Sequence, residues 1–266
     1  MSTYEDRTPA YSPDGRRIAF SSARSGEDRE IWLADADGRN LIQLTRGPGS
    51  FRSSPRWSPD GRRIVYDARG DGGVRDLWTI DVTGGAPRRL TDGPMNSGLA
   101  CWSPDGRWIY YRSFRADGAD IWRLPAEGGT PEQVTRQAGQ GPRFTADRCA
   151  VSYDGRTLYY NYYNRADGEA PLVAHPLDGQ PERVVTDCVA GRGFDTGPDG
   201  VYYVGCGTRL RARPLYRLDP YSGRQELLGR VETDYVDTIA VSPTGGPILF
   251  PKLTIEGDVV MIENFR

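Results

Sequence analysis

WSPDGRRIVYDARGDGGVRDLWTIDVTGGAPRRLTD, residues 57–92, carries the signals for one complete structural unit. In Ser58-Pro59-Asp60-Gly61 proline presets φ at the second turn position, aspartate bonds its own backbone and glycine accepts positive φ, so the chain reverses there. A short strand ends at Trp57 before the turn, and the apolar run Ile64-Val65-Tyr66 forms the next strand after it. Leu77-Trp78 marks a third strand. Gly84-Gly85 supplies a second tight turn, and Arg88 to Thr91 closes the unit. The reading is a four-stranded antiparallel meander.

Working outward, the turn recurs at Ser12, Ser58, Ser103, Ser152, Gly197 and Ser242, in steps of 46, 45, 49, 45 and 45 residues. Each recurrence is followed by an apolar or aromatic run: Ile18-Ala19-Phe20, Ile109-Tyr110-Tyr111, Leu158-Tyr159-Tyr160, Val201-Tyr202-Tyr203 and Ile248-Leu249-Phe250. A period near 45 with four strands per unit predicts an all-β, six-bladed β-propeller, in which each sheet hides its faces against its neighbours. An open solenoid is the alternative; the end units show no polar capping face. One domain spans 1–266, with blades at about 7–45, 53–91, 97–135, 146–185, 190–228 and 235–264. The sixth has no room for a fourth strand, so a three-stranded last blade is expected, unless an upstream segment completes it.

These units resemble the TolB-like, WD-like propeller repeat, whose hallmark is an aromatic residue before Ser-Pro-Asp-Gly, as in YSPDGRRIAF (11–20), WSPDGRRIVY (57–66) and WSPDGRWIYY (102–111). The stretch from RVVTDCVAGRGFDTGPDGVYYVG (183–205) to GDVVMIENFR (257–266) is similar to the C-terminal propeller of multidomain bacterial regulators that carry a winged-helix or protein-kinase module. That resemblance implies a sensory or interaction module of a bacterial regulatory system. Blades four to six depart from the motif, with Ser152-Tyr153-Asp154-Gly155, Gly197-Pro198-Asp199-Gly200 and Ser242-Pro243-Thr244-Gly245.

Composition narrows the function. With 34 basic and 36 acidic residues the formal charge is −2, which supplies no basic field for nucleic acid. No apolar run approaches the roughly 18 residues needed to span a membrane, and the sequence as it stands shows no signal peptide. A cytoplasmic monomer is therefore expected, or an extracytoplasmic one if the chain is cut from a membrane-anchored regulator. Cys101, Cys149, Cys188 and Cys206 form no C-x-x-C pair and read as buried free thiols, their disulfide state left open. The single histidine, His175, lies on a third strand and reads as packing or surface. No nucleophile elbow, zinc-protease motif, phosphate loop or dinucleotide fingerprint occurs, so no cofactor and no catalytic residue is expected.

Two sets of residues remain. Counting back from each turn to the entry of the innermost strand gives Arg7, Arg56, Asp147, Arg148, Arg192, Asp195 and Asp237, which would converge at the mouth of the central channel. They either hold a small polar ligand or pair with one another and plug the channel. Calcium through the three aspartates is opposed by the neighbouring arginines. On the face formed by the second-to-third loops and the blade connections lie Phe51, Arg52, Phe114, Arg115, Tyr163, Arg165 and Tyr235, residue types that protein hot spots use. The leading expectation is a non-catalytic interaction or sensory scaffold with a protein partner. The alternatives are a small-ligand or ion sensor acting through the channel, and an enzyme with an acidic site at Asp147, Asp195 and Asp237.

Overall fold

A computed structural model describes residues 5–26, 28–47, 51–70, 72–115, 118–136, 146–162, 169–206, 212–233, 236–252 and 258–262. The described residues contain no helix, and their sheets are antiparallel. The first unit is β1 (Asp6–Tyr11), β2 (Arg17–Ser22), β3 (Glu30–Asp35) and β4 (Ile42–Gln43). The second is β5 (Ser53–Trp57), β6 (Arg63–Arg69), β7 (Arg75–Asp81) and β8 (Arg88–Arg89). The third is β9 (Ser97–Trp102), β10 (Trp108–Arg115), β11 (Gly118–Pro125) and β12 (Glu132–Gln133). Each forms its own four-stranded sheet with neighbours in chain order.

The Ser-Pro-Asp-Gly turns close as their chemistry dictates. Ser12 Oγ donates to Asp14 at 2.6 Å and accepts from the Arg17 amide at 2.9 Å, while Gly15 sits at φ +69° with its amide 2.8 Å from the Ser12 carbonyl. The same serine–aspartate bond recurs at Ser58–Asp60, Ser103–Asp105 and Ser152–Asp154. Bonding from the serine hydroxyl lowers all four of these carboxyl pKa values, Asp105 to about 2.

Apolar side chains fill the gaps between units. Ala19, Ile31 and Leu33 meet Trp57, Ile64 and Tyr66; Val65 and Leu77 meet Trp102 and Ile109; Tyr110 and Ile121 meet Val151 and Tyr160. Tyr159 and Leu172 meet Phe194 and Tyr203, and Val204 and Leu215 meet Ile239 and Phe250. Ile18 and Phe20 of the first unit pack on Ala240 and Leu249 of the last. Side chains at the ends of the innermost strands latch neighbours together. Trp57 Nε1 donates to the Ala10 carbonyl (3.1 Å), Trp102 Nε1 to Arg56 (3.2 Å), Thr196 Oγ1 to Val151 (2.9 Å), and Tyr11 Oη to Pro247 (2.9 Å). The last bond and the Ile18–Leu249 cluster join the first repeat to the final one. The sheets close on themselves.

Three expectations are corrected. Units four and five are one seven-stranded sheet: β13 (Ala146–Val151), β14 (Thr157–Tyr162), β15 (Glu169–Pro176), β16 (Arg183–Gly197), β17 (Gly200–Gly205), β18 (Ala212–Leu218) and β19 (Gln225–Glu232). β16 pairs with β15 through its first half and with β17 through its second, crossing the boundary expected between residues 185 and 190. In the last unit β20 (Ile248–Lys252) and β21 (Asp258–Ile262) form a two-stranded sheet; the expected third strand is only a bridge between Ala240 and Leu249. The cysteines are paired rather than free: Cys101 with Cys149 (Cα–Cα 6.0 Å) across units three and four, and Cys188 with Cys206 (5.6 Å) across β16 and β17.

Candidate functional site at the axial mouth

The innermost strands β1, β5, β9, β13 and β16 all break register near their entry. Thr8, Ser54 and Leu99 hold left-handed φ of 50°, 54° and 54° there, although none is glycine. Such bulges re-aim the side chain beside them. Arg7 directly precedes Thr8; Asp147, Arg192 and Asp237 stand at the same distance, five residues, before their own turns.

These charges come together. Asp147, fully buried, lies between Arg112 and Arg192, whose Nε is 2.6 Å away. Arg192 Nη1 reaches Asp237 at 3.4 Å, and Arg148 Nη2 reaches Asp195 at 3.4 Å. Arg148, 2% exposed, also donates to the carbonyls of Arg192 (3.0 Å) and Ile239 (3.2 Å), a strut across three units. Arg7 and Arg29 share Glu5, and Arg75 pairs with buried Asp67 at 2.9 Å. Arg56 is half-buried and, among the described residues, donates to the Pro55 carbonyl (2.9 Å), within the fields of Asp195, Asp237 and Asp67 but paired with none of them. Burial lowers the pKa of Arg29, Arg56 and Arg112, and burial followed by the neighbouring Arg56 charge brings Arg148 down to about 9.

Of the seven channel residues named from the sequence, Asp147, Arg148, Arg192, Asp195 and Asp237 are joined by ion pairs and hydrogen bonds, Arg7 pairs with Glu5, and Arg56 lies in the fields of Asp195 and Asp237. Arg29, Arg75, Arg112, Asp67 and Glu5 were missed. Asp67 and Arg112 had a signal: each stands nine residues after its turn serine, on the strand beside the innermost one. The carboxylates are engaged by guanidiniums, and Asp195 also accepts from the Val241 amide at 3.2 Å; among the described residues no group of three or more His, Cys, Asp or Glu is placed to hold a metal.

The loop-face candidates divide. Phe51, 38% exposed, is ringed by Arg29 (5.1 Å), Arg69 (5.6 Å) and Arg75 (5.6 Å), two of which belong to the axial network. Arg115 is exposed and lies 4.1 Å over Trp122; Phe114 is half-buried beneath Arg112 at 4.8 Å. Arg52 is not on the surface. It is buried against Glu30 at 2.7 Å because that carboxylate needs a cation, and its carbonyl accepts from Ser21 Oγ. Tyr163, Arg165 and Tyr235 lie outside the described residues. His175 is half-buried, 2.8 Å from Glu182, which also accepts from Tyr160; Tyr160 in turn meets Tyr162 at 2.8 Å. A separate cleft of about 920 Å³ between units five and six is lined by Tyr202, Val241 and Thr244 and by the ion pairs of Arg217 with Asp199 and Glu226.

Comparison with known proteins agrees with this architecture. A TolB candidate from Agrobacterium tumefaciens superposes over 98% of this chain and 91% of its own, at TM-score 0.71 and 20% identity. TolB from Acinetobacter baumannii matches 94% of this chain and 62% of its own (TM-score 0.76, 15% identity). Oligogalacturonate lyase from Vibrio parahaemolyticus matches 98% and 91% (TM-score 0.65, 13% identity). At these identities the likeness is one of fold alone. An uncharacterized protein of Agrobacterium fabrum, Atu1656, is 30% identical over 103 residues, a match spanning 37% of this chain and 34% of that one. Residues 27–170, more than half the chain, match the Tricorn protease N-terminal beta propeller domain, and with the closed all-β architecture this shows that the chain belongs to that β-propeller family.

Proposed function

We propose that this chain is a six-bladed β-propeller that serves as a non-catalytic protein-interaction or sensory scaffold in a bacterial regulatory system. The ring size rests on the six sequence repeats and on the apolar clusters that alternate with them. The observation that carries the role is Phe51. A large apolar ring is held out at the channel mouth by three guanidiniums, and rigid aromatic–arginine anchors of this kind are what interfaces use as hot spots. Arg115 over Trp122 offers a second anchor on the same face. The likeness to lyases reaches only the scaffold, and folds of this type host many unrelated functions.

The test is affinity capture with chemical cross-linking, comparing the wild type with Phe51→Ala/Arg69→Ala/Arg115→Ala. The triple variant should melt within a degree or two of the wild type and lose the partner that the wild type enriches. Equal capture by both proteins rejects this face.

A further inference from the structure

The charge count at the axis does not close. Guanidiniums of Arg7, Arg29, Arg56, Arg75, Arg112, Arg148 and Arg192 face carboxylates of Glu5, Asp67, Asp147, Asp195 and Asp237, seven against five. The excess of two positive charges among the described residues stands inside a chain whose formal net charge is −2, so it is local. Mutual pairing among the described residues does not remove it. Glu5 and Asp147 each already serve two arginines, and Arg56 has no carboxylate partner among the described residues. The Nε atoms of Arg7, Arg112 and Arg148 are buried without a hydrogen-bond partner. Cations taken partly out of water without compensation are costly; burial, and after it the Arg56 charge, depresses the pKa of Arg148.

We propose that the axial arginine cluster is a binding site for a small dianion, with Arg56 as the central ligand-binding residue and Arg7 and Arg29 at the entrance. Two negative charges close the deficit. Guanidinium forks match the paired oxygens of carboxylates and phosphates, so dicarboxylates and inorganic phosphate share the required chemistry. A monoanion such as acetate leaves one charge uncovered and binds more weakly. Arg148, tied to Asp195 and two carbonyls, acts as the positioning residue that holds the floor of the site. The site does not depend on a docked protein and stands or falls separately from the loop-face anchors.

The experiment is thermal melting and titration calorimetry on the full chain at pH 8, with ionic strength held constant by sodium chloride. Malonate, succinate and inorganic phosphate are the probes, and acetate is the control. A dianion at 10 mM should raise the melting temperature by about 2 °C or more, with acetate giving less than half of that. The arms separate the sources: a response to phosphate alone assigns a phosphate site, and a response to malonate or succinate a dicarboxylate site. Arg56→Gln should weaken the responding dianion at least tenfold and keep the wild-type circular dichroism. If that variant does not fold, Arg7→Gln, at a side chain 30% exposed, replaces it with the same expectation. No dianion response in the wild type, an equal response to acetate, or undiminished affinity in a folded variant overturns the proposal. Loss of partner capture in the Phe51 variant with an intact dianion response leaves it standing.

Discussion

The first three units and the next two start from the same repeat and end differently. In units one to three the outermost strand is two residues long and is stopped by a threonine clasp. Thr45, Thr91 and Thr135 accept hydrogen bonds from the amides of Ile31, Leu77 and Ile121 (2.9, 3.0 and 3.0 Å) and donate to Glu30, Asp76 and Asp120. Each acid stands fifteen residues before its threonine. Unit four keeps a threonine at the corresponding place, Thr186 opposite Leu172, and unit five has Gly229 opposite Leu215, but both carry proline, Pro171 and Pro214, where the acid stands in units one to three. Without an acid to hold the clasp, their outer strands run on: β16 is fifteen residues long, β19 eight, and β16 becomes the innermost strand of the next unit. The acid of the clasp thus separates the discrete blades from the fused pair, and the fused pair is cross-linked instead by Cys188–Cys206.

Breaking the covalent links should have the largest effect. Cys101→Ser/Cys149→Ser opens a bridge across 48 residues and should cost about 4 kcal/mol, while Cys188→Ser/Cys206→Ser, across 18, should cost about 3 kcal/mol. Denaturant melts with and without reductant measure both. Equal melts for oxidised and reduced wild type would remove the bridges from the account.

Next in size is the clasp. Asp120→Ala strips the partner from the Thr135 hydroxyl and from Gln133 and should cost about 1–3 kcal/mol. Thr135→Val, which removes the hydroxyl of the clasp, should cost about 1 kcal/mol and lengthen the protected outer strand by hydrogen exchange. Unchanged protection would sever the clasp from strand length.

Titration sharpens the comparison at both ends of the pH scale. Burial pushes the phenols of Tyr11, Tyr66, Tyr111 and Tyr162 up to about 12. The unfolded chain therefore loses these protons first as pH rises above 10. The stabilisation is complete below pH 10 and is lost on the way to about 12. On the acid side the lowered Asp14, Asp60, Asp105 and Asp154 stabilise above pH 3.8 and lose that contribution as pH falls towards about 2. Melting temperatures across both limbs test this; a flat alkaline limb would contradict the buried phenols.

The smallest effect concerns the sixth turn. Thr244 stands where the turns of units one to four have aspartate, and the amide of Gly245 is 3.4 Å from the Ser242 carbonyl against 2.8–2.9 Å in those turns. Thr244→Asp should restore the serine–aspartate bond and add about 0.5–1 kcal/mol, a gain that disappears in acid.

Much of this was legible in the sequence. Turns, second and third strands and the inward charges follow from local chemistry repeated at a fixed period. What escaped depends on partners distant in the chain. Arg52 looked like a surface residue because Glu30, its buried partner, lies on another strand. The cysteine pairs have no spacing rule, since neighbouring strands rather than neighbouring residues bring them together. The continuity of β16 was hidden because the repeat carries no sign that one unit's outer strand runs into the next; Gly191 and Gly193 lie within that strand, where a side chain would meet the Val236 carbonyl and the Val236 side chain.

The left-handed residues on the innermost strands carry a further consequence. Thr8, Ser54 and Leu99 adopt a backbone shape that glycine would take with less strain, and Thr8 Oγ1 accepts from the amide of Ser54 at 3.2 Å, so one kink braces the next. A ring shaped for durability alone would have glycine at these three points. The lining of the central passage instead holds three of the five left-handed non-glycine residues among the described ones, beside the place where its charges are aimed.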